Sequence, residues 1–563
     1  MRQRANPNHK VRPPNPLCKA TFTYSEGCQN VSVCHLKLSI RHTRFSNNSS
    51  MQGQELSYAV LGRTRNEAAV DVLLSCLDSD LHEHQDMALS TLMQRREDRV
   101  PAKLLARWQQ LKTSDHLLLK TRKTWFEGAV SQALKHRGSD TLTAIAAAES
   151  LELTKFIPML VDLGETGETE EIRQRATSAT LKLAHILGGR ARCDRDAPTF
   201  RNPALERLHE SLGNINKHGN LALADAFLVL SLWGDSELRK VMREPTPIRK
   251  LILERFLESS HIGVLDLLAG SIKRRQMDDH ATALIQKRND HAFRSVFLNS
   301  ITPDPSSVVL KNLANIGMPA SCRGDEKLLG KINENQIPAL LHLYATCGTN
   351  PVKTLHLIAS VAEKKNPAYD SVVCFALSQC SVPDSEIIVR AALHIANDET
   401  EVINNENARL LQRLIALIDH KDENIVRGIR RVIQPLHAES MLHRFQDLRP
   451  RSRRILGRVV MMVDPDALQR VSDAIRHPVL KNRIAAIAMA DALAVVDLLS
   501  DSFEHIVQED HLEARISAAE VMANAHGDAT FGVLKKLADL PGCPVRDIAL
   551  DAIQRRSEEM MKS

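Results

Sequence analysis

The densest single chemistry in this 563-residue sequence is the run His443 to Arg458, HRFQDLRPRSRRILGR. It holds six arginines (Arg444, Arg449, Arg451, Arg453, Arg454, Arg458) and one acid, Asp447. A guanidinium presents a planar fork of N–H donors that matches carboxylate or phosphate two bonds at a time. Helical spacing of four puts Arg454 and Arg458 on one face. Arg427, Arg430 and Arg431 stand on the preceding unit of the chain, where they could add to the same charge. The expectation is a contact for an acidic protein segment or a phosphate backbone. The plainer alternative is an exposed turn whose arginines pair with nearby acids.

Other groupings point less far. Trp108 and Trp125 lie among Lys103, Arg107, Lys112, Lys120, Arg122 and Lys123. Tryptophan stacking plus phosphate contacts would suit a nucleic acid, whereas core anchors with solvated charges would give the same pattern. His82, Glu83 and His84 lack the i, i+4 spacing that sets two imidazoles on one helix face. Asp278, Asp279, His280, Asp290 and His291 suggest either a metal cluster or a solvated helical stretch. Gly324 to Lys331 only loosely resembles a phosphate loop, because Ile332 stands where Ser or Thr must hold magnesium. No nucleophile elbow is found. The expectation is a non-enzyme that needs no cofactor and no metal.

Charge is unevenly placed. Residues 1–50 contain eight Lys or Arg and one acid, while the remainder contains 66 basic and 67 acidic residues. The basic pI of 8.7 therefore belongs to the tail, and it gives no general argument for nucleic acid. Rich in Pro, Asn, Ser and Arg, residues 1–50 read as a disordered basic tail; the alternative is that translation starts at Met51. The ten cysteines are scattered without a CxxC pair, which fits a reducing, cytoplasmic setting. Membrane contact is not expected: the longest apolar stretch, Ile484 to Leu499, is interrupted by Asp491 and Asp497.

The elements that must position these residues are helices. From Met51 onward apolar residues recur at i, i+3, i+4 and i+7 with regular breaks. Aromatics are 4% of the chain, so the core must be Leu, Ile, Val and Ala. Two stretches rich in turn residues, 188–203 and 301–325, read as linkers that separate helical blocks at 51–187, 204–300 and 326–563. Within the blocks one unit returns: an apolar helix, a polar turn often holding Asp, then a second helix with Arg in its first turns. Aligned on Arg173, Arg427, Arg483, Arg515 and Arg546, the residue three positions on is Ala176, Arg430, Ala486, Ala518 and Ala549. A small residue at that depth lets two helices cross closely. Regular return of such a unit predicts that each buries its apolar face on the next.

These segments resemble HEAT repeats, with Asp419, Val426 and Arg427, and again Asp539, Val545 and Arg546, matching the Asp-turn and Val-Arg pattern. The short spacing is closer to the compact units of bilin-lyase-type proteins, and the likeness weakens across 200–330. The resemblance implies a right-handed α-solenoid of helical hairpins, with Asp and Arg forming a structural ladder between repeats. It also implies a concave surface lined by second helices. The resulting expectation is a protein-interaction scaffold that binds an acidic or helical partner there, through Arg444, Arg449, Arg451, Arg453, Arg454 and Arg458. HEAT-like proteins also include DNA glycosylases and bilin lyases. A nucleic-acid-binding protein and a lyase therefore stand as alternatives.

Overall fold

The computed structural model of the chain describes residues 49–95, 97, 99–191, 197–324, 326–347, 350–397, 405–445 and 448–562. Every regular element among them is an α- or 3-10 helix. The tail reading, residues 1–50, lies outside the described residues except for Ser49 and Ser50, which open the first helix, Ser49–Arg63. The chain divides into two compact units, Met1–Arg96 and Glu97–Ser563.

In the smaller unit the helices Ser49–Arg63, Ala68–Cys76 and His82–Gln94 bury Tyr58, Val70, Leu73, Leu89 and Leu92. Arg95, nearly inaccessible, donates to the carbonyls of Leu61 and Asn66 and so closes the end of the first helix. Carbonyls of a last helical turn have no partner inside the helix, and a guanidinium supplies several donors at once.

The larger unit starts its helices in the way the sequence signals. Thr246, Asp278, Asp290, Ser306, Asn350, Asn405 and Asp422 each accept a backbone N–H from the first turn that follows. Pro247, Pro351 and Pro450 occupy first-turn positions, where the missing N–H costs nothing. Gly317, at φ 69°, ends Ser307–Ile316 in a conformation that a Cβ would strain.

Packing follows chain order. Pro450–Val463, Leu480–Ala492, Leu512–Asn524 and Arg546–Lys562 each lie against the next. Ala467–Ile475, Ser500–Glu509 and Asp528–Asp539 are the first helices of the hairpins that precede the last three of these. The alanines expected at close crossings, Ala176, Ala486, Ala518 and Ala549, are all fully buried. Burying a Leu or Ile contributes roughly 1.5–3 kcal/mol, opposed by the backbone entropy of each ordered residue. These hairpins thus gain stability from apolar side chains buried both within each hairpin and against the next.

The aligned arginines serve the same joints. Arg173 donates to Gly167 O at 2.7 Å, Arg515 to Val507 O at 2.8 Å and Arg546 to Ala538 O at 2.9 Å. Each guanidinium closes the end of the helix just before its own. Arg483 instead takes the carbonyls of His477 and Pro478 in the turn between the two helices, and also pairs with Asp510 at 2.6 Å on the following hairpin. At the corresponding place Arg515 meets Cys543, Nη2 to Sγ 3.9 Å. Alignment on Arg427 is displaced by one turn: Arg427 is exposed, and Arg431 takes the carbonyls of Leu377, Ser378 and Cys380. The helix Glu423–Val432 packs on Asp370–Gln379, and only its later turns reach that helix end.

The two stretches read as linkers carry helix. Residues 188–191 finish Glu170–Ala191 and 197–203 begin Ala197–Gly213, with 192–196 outside the described residues. Within 301–325, Ser307–Ile316 is a full helix. Pro and Gly mark turns correctly but do not measure the helix between them.

Candidate arginine-lined binding surface

Five of the six candidate arginines sit on or at the start of Pro450–Val463 with differing surroundings. Arg449 is its N-terminal flanking residue and is exposed. Arg451, Arg454 and Arg458 are exposed on the helix, and none has a carboxylate within ion-pair distance among the described residues. Arg453 is half-buried and, with Arg454, faces Asp491 of Leu480–Ala492. Burial pushes the Asp491 carboxyl upward, against the pull of these two arginines. Arg444 lies apart and pairs with Glu386 at 3.2 Å. Asp447 lies outside the described residues. The six therefore divide: Arg444, Arg453 and Arg454 face acids on other helices, Arg454 from an exposed position, and Arg449, Arg451 and Arg458 complete the exposed cationic face. Of the arginines on the preceding unit, Arg431 is committed to carbonyls and Arg430 acts on His437, where burial lowers the imidazole pKa.

That face is held by close packing behind it. A Cβ on Gly457 would stand 2.0 Å from Ala492 O, so only glycine lets Pro450–Val463 approach the end of Leu480–Ala492 this closely. Ser452, Leu456 and Val460 are buried on the inner side, and the arginine spacing is complementary to theirs.

The remaining sequence candidates take structural places. Trp108 is 2% exposed and stacked on His116, with centroids 4.2 Å apart. Its ring faces are therefore not open to a base. Trp125 leans on Phe126. Asp278 and Asp290 cap helices through His280 N and Phe293 N, and no group of three or more His, Cys, Asp or Glu side chains with metal-binding geometry occurs among the described residues. His82 and Glu83 are exposed on the helix His82–Gln94. No helix among the described residues is long and apolar enough to cross a membrane.

Two pairs of clefts open along the larger unit. One, about 710 and 480 Å3, shares His477 and mixes both signs of charge: Arg476, Asp501 and His505 on one side, Glu439, His443 and Asp473 on the other. The other, about 740 and 460 Å3, shares Trp233 and Arg274. The smaller member of this second pair is lined by Arg239, Arg243, Arg249 and Arg274, a concentration missed in the sequence. A signal existed: residues 239–250 hold Arg239, Lys240, Arg243, Arg249 and Lys250 against Glu244. The fourth arginine is too distant along the chain for a window to include it.

Comparable arginine joints exist across 200–330. Arg255 holds Asp225 through two bonds of 2.9 and 2.8 Å, and the buried Arg288 donates to Phe256 O and Ser259 O. No protein-family model and no curated protein matches the chain.

Proposed function

We propose that the chain is a HEAT-like, right-handed α-solenoid that acts as a protein-interaction scaffold and docks an acidic partner segment on the Pro450–Val463 helix. The supporting observation is the exposed face of Arg451, Arg454 and Arg458 in a body of almost balanced charge; none of the three makes an ion pair among the described residues, and only Arg454 faces an acid, Asp491. Packing of each hairpin on its chain neighbour supports the solenoid reading. A cytoplasmic setting belongs to the same reading and is supported by the free state of the described cysteines, several of which burial pushes to a pKa of about 11 or 12.

Arginine here contributes steering and register more than bulk affinity. The test uses a fluorescent peptide rich in glutamate and the full chain at low and physiological salt. The Arg451→Gln, Arg458→Gln double variant leaves melting unchanged, because both side chains are exposed, and weakens the peptide by about tenfold, roughly 1.4 kcal/mol. Equal binding by variant and parent removes this helix as the docking face.

A further inference from the structure

The helices Ser236–Arg243, Pro247–Glu258 and Asp279–Lys287 surround the cleft of about 460 Å3. Arg239 and Arg243 stand one turn apart on the first, Arg249 lies in the opening turn of the second, and Arg274 follows the 3-10 turn Ser271–Lys273. None of the four has a carboxylate within ion-pair distance among the described residues. Arginines close by in sequence are engaged instead: Arg201 with Asp235, Arg255 with Asp225, Arg288 with Asp290. The lining contains one acid, Asp278, and its Oδ1 takes the backbone N–H of His280 at 2.8 Å. Arg249 donates through Nη2 to His280 Nε2 at 2.8 Å; a guanidinium cannot accept, so the imidazole nitrogen is the acceptor.

Like charges gathered in a concavity cost free energy unless something anionic balances them. The surrounding groups hold them there. The buried Asn312 donates through Nδ2 to Ile272 O at 2.9 Å and to Arg274 O at 2.8 Å, which fixes the backbone that carries the fourth arginine. Trp233, 9% exposed, donates to Leu267 O at 2.7 Å and stacks on Phe256 with centroids 5.6 Å apart, a rigid wall common to both clefts. Beyond that wall the larger cleft presents Leu232, Ile262 and Val296.

We propose that this double cleft binds a phosphorylated peptide, its phosphate among Arg239, Arg243, Arg249 and Arg274 and an adjoining apolar side chain beside Trp233. A phosphomonoester brings nearly two negative charges and three strong acceptor oxygens, which guanidinium forks satisfy in pairs. A single-stranded nucleic acid would want open aromatic faces, and Trp233 is covered. The site is separate from the Pro450–Val463 face and stands whether or not that face docks an acidic segment.

The test presents the full chain with a degenerate peptide library fixed at a central phosphoserine, and with its unphosphorylated counterpart. The phosphorylated library is retained at least tenfold better, and sequencing of the retained peptides shows an apolar residue enriched near the phosphoserine. Arg239→Gln with Arg243→Gln, both exposed positions, abolishes the preference without altering the melting temperature, and Arg274→Gln does so independently. The Arg451→Gln, Arg458→Gln variant keeps the preference intact. Equal retention of the two libraries overturns the proposal, as does a preference that survives both cleft variants. Displacement of the peptides by a homopolymeric single-stranded oligonucleotide at similar concentration, lost in the same variants, assigns the cleft to nucleic acid and equally overturns it.

Discussion

Gly457 shows how one atom can decide the placement of the exposed arginine face. Its Cα lies so near the last turn of Leu480–Ala492 that an added methyl would overlap Ala492 O at 2.0 Å, and backbone cannot yield as a side-chain tip can. Gly457→Ala is expected to destabilise by about 2–4 kcal/mol and to shift the arginine helix outward. Thermal melting checks the first effect, and loss of acidic-peptide binding checks the second. A variant that melts like the parent would mean that the two helices separate at little cost. Arg483 is the matching polar case, since it closes two carbonyls and pairs with Asp510 in a half-buried joint. Arg483→Met leaves Asp510 without its cation and costs about 2–4 kcal/mol, more than the neutral swap of both partners. A double-mutant cycle with Asp510→Asn measures the coupling, and a coupling near zero would refute the joint.

At the scale of an element, helix starts carry the pH response. His261 accepts Gly263 N through Nδ1 at 3.2 Å and so caps Ile262–Gly270. Burial, followed by the charge of His185, lowers its pKa below the ordinary 6.5, while Asp225 and Asp266 pull the other way. The unfolded chain therefore takes up the proton first as the pH falls. Stability from this cap is complete above about 6.5 and declines below it, because a protonated Nδ1 can no longer accept. Burial lowers His437 in the same direction. His261→Asn keeps a capping oxygen without a titrating group, and is expected to flatten part of the decline in melting temperature between pH 6.5 and 5; an unchanged slope would clear His261. A second decline belongs to carboxylates. Burial raises Glu165, but hydrogen bonds from Arg207 and Ser211 and the charges of Arg207 and His218 outweigh it. Burial likewise raises Asp510, and Arg483 together with the His511 N–H and charge outweighs it. Both pKa values end below the ordinary range, so their stabilisation is present above about pH 4 and is lost as pH falls further.

For the larger unit as a whole, helices that pack mainly on chain neighbours leave damage local. Leu534 is fully buried in Asp528–Asp539, and Leu534→Ala is expected to cost about 2–5 kcal/mol there. Hydrogen exchange should quicken across 500–562 and stay unchanged across Ile157–Thr166 and Glu170–Ala191. Quickening of both regions together would show one cooperative core and would count against the solenoid reading.

The sequence by itself determined what depends on near neighbours along the chain. Helical periodicity, cap residues such as Asn405 and Asp422, and the small residues Ala176, Ala486, Ala518 and Ala549 at close crossings all act within a few residues, and so they can be read from a window. The exposed spacing of Arg451, Arg454 and Arg458 is legible for the same reason. Tertiary structure decided which arginines are occupied. Arg444, Arg453 and Arg454 face acids on helices far along the chain, Arg431 rather than Arg427 reaches the carbonyls, and Trp108 turns inward onto His116. It also brought Arg274 to Arg239, Arg243 and Arg249 across three helices. A guanidinium is the same residue whether it closes a helix end, answers a carboxylate or faces an open cleft; only the groups placed around it in space distinguish the three.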